Sequence, residues 1–147
     1  MILKKIHFAI DKTIKADASQ KILLKRYRNY SPNQSNVIVV IGGDGFMLET
    51  LKKYRKYNKP YYGMNKGTFG FLMNKFKTKN IKKSIAKAKP VSISALEMHT
   101  ITKDNIKKSA IAINEVSLLR QSKQAASLRI LNRKKILIKK LMDLLNF

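Results

Sequence analysis

Carboxylates are the scarce chemical resource of this sequence. Eight Asp and Glu stand against 32 Lys and Arg, so an acid in an unusual setting is informative. Asp44 is such a case, enclosed in Gly42-Gly43-Asp44-Gly45. Glycines allow unusual backbone dihedrals and bring N–H groups close to an anion, yet a carboxylate repels phosphate. Asp44 therefore needs a reason to be there. It could accept the proton of an attacking hydroxyl or help hold a magnesium ion. The plainer alternative is an Asp bonding to nearby backbone in a turn. Neither G-x-G-x-x-G nor the P-loop G-x-x-x-x-G-K-[ST] is present.

Two further clusters carry chemistry. Gly63-Met64-Asn65-Lys66-Gly67-Thr68-Phe69-Gly70-Phe71-Leu72 combines hydrogen-bonding groups (Asn65, Thr68) with flat apolar surface for a base (Phe69, Phe71). Ala110-Ile111-Ala112-Ile113-Asn114-Glu115-Val116 sets an amide and a carboxylate in an apolar run. Such a pair is costly if buried without partners, and vicinal ribose hydroxyls are natural partners for the acid. Asp11, Asp17 and Asp104 fall where turns or helix starts are expected, an ordinary setting for Asp.

The elements that must position these residues follow from periodicity. Ile6, Phe8 and Ile10 alternate, predicting a strand that ends near Asp11. Residues 18–29 carry Ile22, Leu23 and Tyr27 at helical spacing, with Asp17 or Ser19 as cap. Val37-Ile38-Val39-Val40-Ile41 is an unbroken β-branched run, the pattern of a strand buried on both faces of a parallel sheet. It runs directly into the glycine loop. Met47, Leu48, Leu51 and Tyr54 then mark one face of a helix, ended by Asn58-Lys59-Pro60. Tyr61 to Met64 reads as a short strand, and Thr78 as the cap of a helix carrying Ile81 and Ile85. This rhythm predicts an α/β fold with a parallel sheet over residues 1–89. Ligands bind such sheets at the carboxyl ends of the strands. From Pro90 the texture changes. Residues 90–147 read as the first strands of an antiparallel β region, with a turn at Lys103-Asp104-Asn105, a return strand from Ser109 to Leu119, a strand at Leu128 to Ile130, and a turn at Asn132-Arg133-Lys134 into Ile136-Leu137-Ile138.

Composition narrows the classes. The chain has 147 residues, 44% of them hydrophobic, and a net charge of +24. That apolar content supports a core. No apolar run reaches the roughly 18 residues of a membrane helix, and no secretory signal opens the chain, so a cytoplasmic protein without membrane contact is expected. With no Cys and two His, disulfides, thiolate chemistry and a resident metal site are not expected. The charge raises a nucleic-acid reading. However, 26 of the basic residues are Lys and 6 are Arg, and they are scattered along the sequence. A solvated basic surface is therefore favoured over a nucleic-acid partner, although the field would attract any polyanionic ligand.

Taken together and in this order, the three clusters resemble the NAD kinase family. The residues carrying the match are Gly42-Gly43-Asp44-Gly45, the Gly63 to Leu72 segment, and Asn114-Glu115-Val116 running into Arg120-Gln121-Ser122. The Gly-Gly-Asp-Gly loop also occurs in lipid kinases of the diacylglycerol kinase type and in phosphofructokinases. The second and third clusters favour NAD kinase. The resemblance implies ATP-dependent phosphorylation of the adenosine-ribose 2′-hydroxyl of NAD, giving NADP. It implies Asp44 as proton acceptor, Gly42, Gly43 and Gly45 as the phosphate loop, and NAD contacts from Asp44, Gly45, Asn65, Phe71, Asn114 and Glu115. Mg²⁺ is expected on the phosphates, with polyphosphate as an alternative donor to ATP.

The sequence departs from the family in two ways. Phe46 stands where the family usually has Thr. The resemblance also covers residues 1 to about 141, roughly the first half of the family's architecture, without its later Gly-, Ser- and Thr-rich segment. A truncated chain is the expectation, with an exposed β region that calls for a homo-oligomeric partner, and its turnover is in question. The alternatives are a lipid or sugar kinase and a non-catalytic basic nucleotide or nucleic-acid binder.

Overall fold

The computed structural model describes residues 5–12, 20–68, 70–119 and 125–143. Its centre is a four-stranded parallel sheet in the order β1-β2-β3-β4, formed by β1 (Ile6–Ile10), β2 (Val37–Gly42), β3 (Tyr61–Asn65) and the short β4 (Asn74–Lys75). Every residue of β2 is buried. The reason is its place between β1 and β3, with Ile38 paired to His7 on one side and to Tyr61 on the other. β-Branched side chains suit this pleated, two-sided position.

The pleat splits the core. Val37, Val39 and Ile41 face one side with Ile6, Phe8, Leu23, Met64 and Ile81. Ile38 and Val40 face the other with Ala9 and Met47. Helix α1 (Asp44–Tyr54) covers the second side through Met47, with Phe46, Leu51 and Tyr54 packed around it. Helix α2 (Ile81–Lys87) covers the first through Ile81 and Ile85. Each fully buried aliphatic side chain contributes about 1.5–3 kcal/mol, so this two-sided burial is what fixes the sheet edge bearing the glycines.

Helix α1 is polarised in the favourable sense. Asp44 lies in its first turn and Lys52 and Lys53 in its last, matching the positive and negative ends of the helix dipole. It passes into a 3₁₀ turn (Arg55–Tyr57), which stops at Asn58 in the left-handed region (φ 48°). Asn tolerates that conformation better than most residues.

Two antiparallel hairpins follow, β5 (Leu96–Ile101) with β6 (Lys107–Ala112), and β7 (Ala126–Asn132) with β8 (Lys135–Asp143). Asn105 (φ 60°) turns the first and Arg133 (φ 55°) the second, at the places the sequence indicated. The fold class is therefore α/β in its first part, with antiparallel strand pairs after it. The chain divides into two compact units, residues 1–113 and 114–147. Among the described residues, no helix is long and apolar enough to cross a membrane.

Three local expectations are corrected. Within the expected helix 18–29, residues 20–24 are helical and 25–26 already turn, although Tyr27 still packs on the core; Asp17 and Ser19 lie outside the described residues. Thr78 does not cap α2, which begins at Ile81 after Asn80 in the left-handed region (φ 57°). The strand expected over Ser109–Leu119 is instead Lys107–Ala112. Its partner sets that limit, because Ala112 pairs with Leu96, where β5 begins, and a ladder ends with its shorter strand. Strand β4 was missed because two exposed polar residues carry no periodicity.

Candidate active site

The site is built where β2 and β3 end together. Gly42, last in β2, is in register with Asn65, last in β3. The Lys66 N–H donates to the Gly42 carbonyl at 2.8 Å, so the two glycine clusters leave the sheet side by side. Asn65 then folds its own loop back, its Oδ1 accepting the Gly67 N–H at 2.8 Å.

Glycine here serves close approach. A Cβ on Gly67 would stand 3.2 Å from the Cα of Gly43, and one on Gly42 would meet the Phe46 ring at 2.9 Å. No glycine has a positive φ. The expected unusual glycine dihedrals are thus absent, and the requirement is steric: two backbone loops in contact, with Phe46 folded over Gly42.

Asp44 opens helix α1 behind the N-cap Gly43, which has no side chain to cap the helix. Its carboxylate reaches across to the second cluster. Oδ2 accepts the Phe71 N–H at 2.7 Å and Oδ1 accepts the Leu72 N–H at 3.1 Å. Both oxygens are engaged by backbone, which fixes the plane of the carboxylate. The partners lie 27 and 28 residues away, so the reading of Asp44 as a local turn residue is set aside. Half-buried at a helix N-terminus, the group has a defined direction, a free lone pair on each oxygen, and a positive local field.

This contact was not foreseen from sequence. Phe71 was singled out for its ring, whereas the structure uses its main-chain N–H and leaves the side chain 96% exposed. Thr68 is also exposed, and Phe69 lies outside the described residues. Asp11 was passed over as an ordinary turn residue. It follows β1 directly, its N–H bonds to the Ile41 carbonyl at 2.9 Å, and its Cβ would crowd a Cβ on Gly42 at 3.1 Å. The available signal was topological, since strands of a parallel sheet share one carboxyl edge.

Asn114 and Glu115 belong to the second unit. Both are exposed and lie outside any strand, which corrects the expectation of a polar pair inside an apolar strand. Arg120-Gln121-Ser122 lies outside the described residues. No three His, Cys, Asp or Glu side chains converge among the described residues. That donor set does not fit a protein-held Mg²⁺, which prefers near-octahedral oxygen ligation, and no step is routed through one.

An acidic glycine loop at the carboxyl edge of a parallel sheet, its Asp oriented by a neighbouring loop, lies where α/β domains bind their ligands. Comparison with known proteins specifies the family. Residues 4–90 match the ATP-NAD kinase N-terminal domain. An NAD kinase of Brucella suis biovar 1 (strain 1330) is 43% identical over 125 residues, covering 85% of this chain and 49% of the relative. One from Rhizobium meliloti (strain 1021) is 47% identical over 105 residues, 71% of this chain and 41% of the relative. One from Caulobacter vibrioides is 44% identical over 115 residues, 78% and 44% of the two chains. The chain belongs to the NAD kinase family. It spans about half the length of the curated relatives it matches.

Proposed function

We propose that this chain acts in the phosphorylation of NAD to NADP, with ATP as phosphoryl donor and the adenosine-ribose 2′-hydroxyl as acceptor. The observation that carries this reading is the oriented Asp44 carboxylate, held by the Phe71 and Leu72 N–H groups at the sheet's carboxyl edge.

In the proposed step the 2′-oxygen attacks the terminal phosphorus of ATP. The bond to the ADP oxygen breaks, and the hydroxyl proton passes to Asp44. A loose transition state asks little early nucleophilicity of the hydroxyl, so Asp44 orients it first and takes the proton late. Its two backbone bonds hold it still while this happens. Gly42, Gly43 and Gly45 leave room and N–H groups for phosphate oxygens. Asn65, Phe71, Asn114 and Glu115 are assigned to NAD, with the exposed Phe71 ring beside the adenine. Mg²⁺ carried by the nucleotide would supply charge neutralisation on the phosphates, with no residue of this chain assigned to hold it. Residues 1–89 form the α/β domain in this reading, supported by a family match that ends at residue 90, and residues 90–147 begin the second domain. A homo-oligomer and a cytoplasmic setting complete the proposal.

The test is NADP formation from NAD and ATP, with polyphosphate tried beside ATP, followed by ³¹P NMR of the product. A 2′-phosphate resonance is expected. Phosphorylation of a lipid or sugar with NAD untouched would overturn the reading.

A further inference from the structure

Basic residues scattered through the sequence are gathered by the fold at the edge of the sheet opposite Asp44. Tyr30 is anchored at the start of β1, its N–H donating to the Ile6 carbonyl at 3.0 Å and its own carbonyl 2.7 Å from Nδ1 of His7. The His7 ring meets Tyr54, at the end of α1, edge-on at 5.3 Å. Tyr54 in turn lies 6.1 Å from Tyr57. His7 thus links the Tyr30 main chain to the Tyr54–Tyr57 ring pair, and the three tyrosines share this edge. All three are half-buried.

Each of the three rings carries a cation. Arg28 lies 5.1 Å and Lys5 5.7 Å from the Tyr30 centroid. Lys53 lies 5.3 Å from Tyr54 and Lys56 5.2 Å from Tyr57. These four basic side chains are exposed. Among the described residues none has a carboxylate partner, the one ion pair there being His99 with Glu97, in β5. The sequence reinforces this, with no acid between Asp17 and Asp44, or between Glu49 and Glu97.

We propose that the Tyr30–Tyr54–Tyr57 cluster, with the cations over its rings, binds single-stranded nucleic acid. The chemistry is an exchange. A base stacks on a tyrosine face, and the displaced ammonium or guanidinium turns to the adjoining phosphate. Inorganic phosphate or polyphosphate would reward the charges and leave the rings unused. Duplex DNA offers no free base faces. An anionic bilayer would reward charge without spaced stacking planes. Interleaved rings and cations thus select unpaired bases on a charged backbone. The cluster lies a helix length from the glycine loop, about 16 Å along α1 at 1.5 Å per residue, so NAD and ATP should not compete with it.

Fluorescence anisotropy of a labelled single-stranded oligonucleotide with the full chain tests this. Affinity should fall log-linearly with salt. Tyr57→Ala should weaken binding about tenfold and Tyr57→Phe about twofold or less, because the face and not the hydroxyl is used. Lys53→Glu with Lys56→Glu should weaken binding and flatten the salt slope, whereas Lys82→Glu with Lys83→Glu on α2 should change affinity about twofold at most. All these positions except the half-buried Tyr57 are exposed, and the Phe variant preserves its packing. The proposal is overturned if Tyr57→Ala binds as the parent does, or if both lysine pairs weaken binding equally. It is equally overturned if duplex, polyphosphate or anionic vesicles compete better than single strands, or if ATP displaces the oligonucleotide.

Discussion

The parallel sheet and the hairpins use the same kinds of side chain to opposite effect. In β2, Ile38, Val39, Val40 and Ile41 are all 0% exposed. In the hairpins Ile101 is 67% and Leu137 55% exposed. The difference is layering: helices cover both faces of the sheet, whereas among the described residues each hairpin pairs with itself alone. A strand gains little from apolar residues until a second layer removes them from water. The consequence for function is direct. The Asp44 loop is mounted on the covered edge, where its geometry is fixed by packing.

The sharpest way to break this comparison is one truncation in each region. Ile41→Ala should destabilise the chain by about 2–5 kcal/mol through the cavity it leaves. Leu137→Ala, already half in water, should cost about 0.5 kcal/mol or less; equal losses in denaturant melts would contradict the contrast. Next in size, Gly67→Ala sets a methyl 3.2 Å from the Gly43 Cα, so that one loop must shift by a few tenths of an ångström, and should cost about 1 kcal/mol. A melt identical to the parent would show that the loops are not in contact.

Tyr61 sharpens the comparison from inside the covered face. Its buried hydroxyl has no hydrogen-bond partner, and its pKa is raised above 10.0 by burial first and by the neighbouring Tyr54 second. The folded chain therefore keeps this proton at a pH where the unfolded chain has lost it. Stability from this group is whole below pH 10.0 and declines as pH rises towards the raised folded value. Tyr61→Phe should gain about 1 kcal/mol at neutral pH and flatten the alkaline loss, leaving the part due to half-buried Tyr62. An unchanged alkaline slope would remove Tyr61 as its cause. Smallest of all, Gly45→Ala has open space around the new methyl and should stabilise α1 by about 0.5–1 kcal/mol. If Gly45 lines the dinucleotide, KM for NAD should rise while the melt improves.

Much of the covered region was legible in sequence. An unbroken β-branched run has few homes other than a central parallel strand, so β2 and the loop after it could be placed at once. The Asp44 loop stood out because acids are rare here. The carboxylate's partners were not legible, because main-chain N–H groups carry no residue signature; Phe71 advertises a ring while its backbone makes the contact. Asn114 and Glu115 misled for a related reason. An apolar run around a polar pair resembles a buried strand, but the strand ends where its partner does, and periodicity does not report partners. The tyrosine cluster carries no sequence signal because Tyr30 and the Tyr54–Tyr57 pair come from separate segments, linked through His7 of β1.

In the proposed reaction Asp44 takes the proton of the attacking hydroxyl while the Phe71 and Leu72 N–H groups hold its carboxylate in place. Steady-state NADP formation by Asp44→Asn tests it most directly, since Asn keeps the size and one acceptor for those N–H groups. A fall in kcat of about 10²–10⁴-fold is expected, with KM for NAD changed about threefold or less. Turnover equal to the parent's would contradict it.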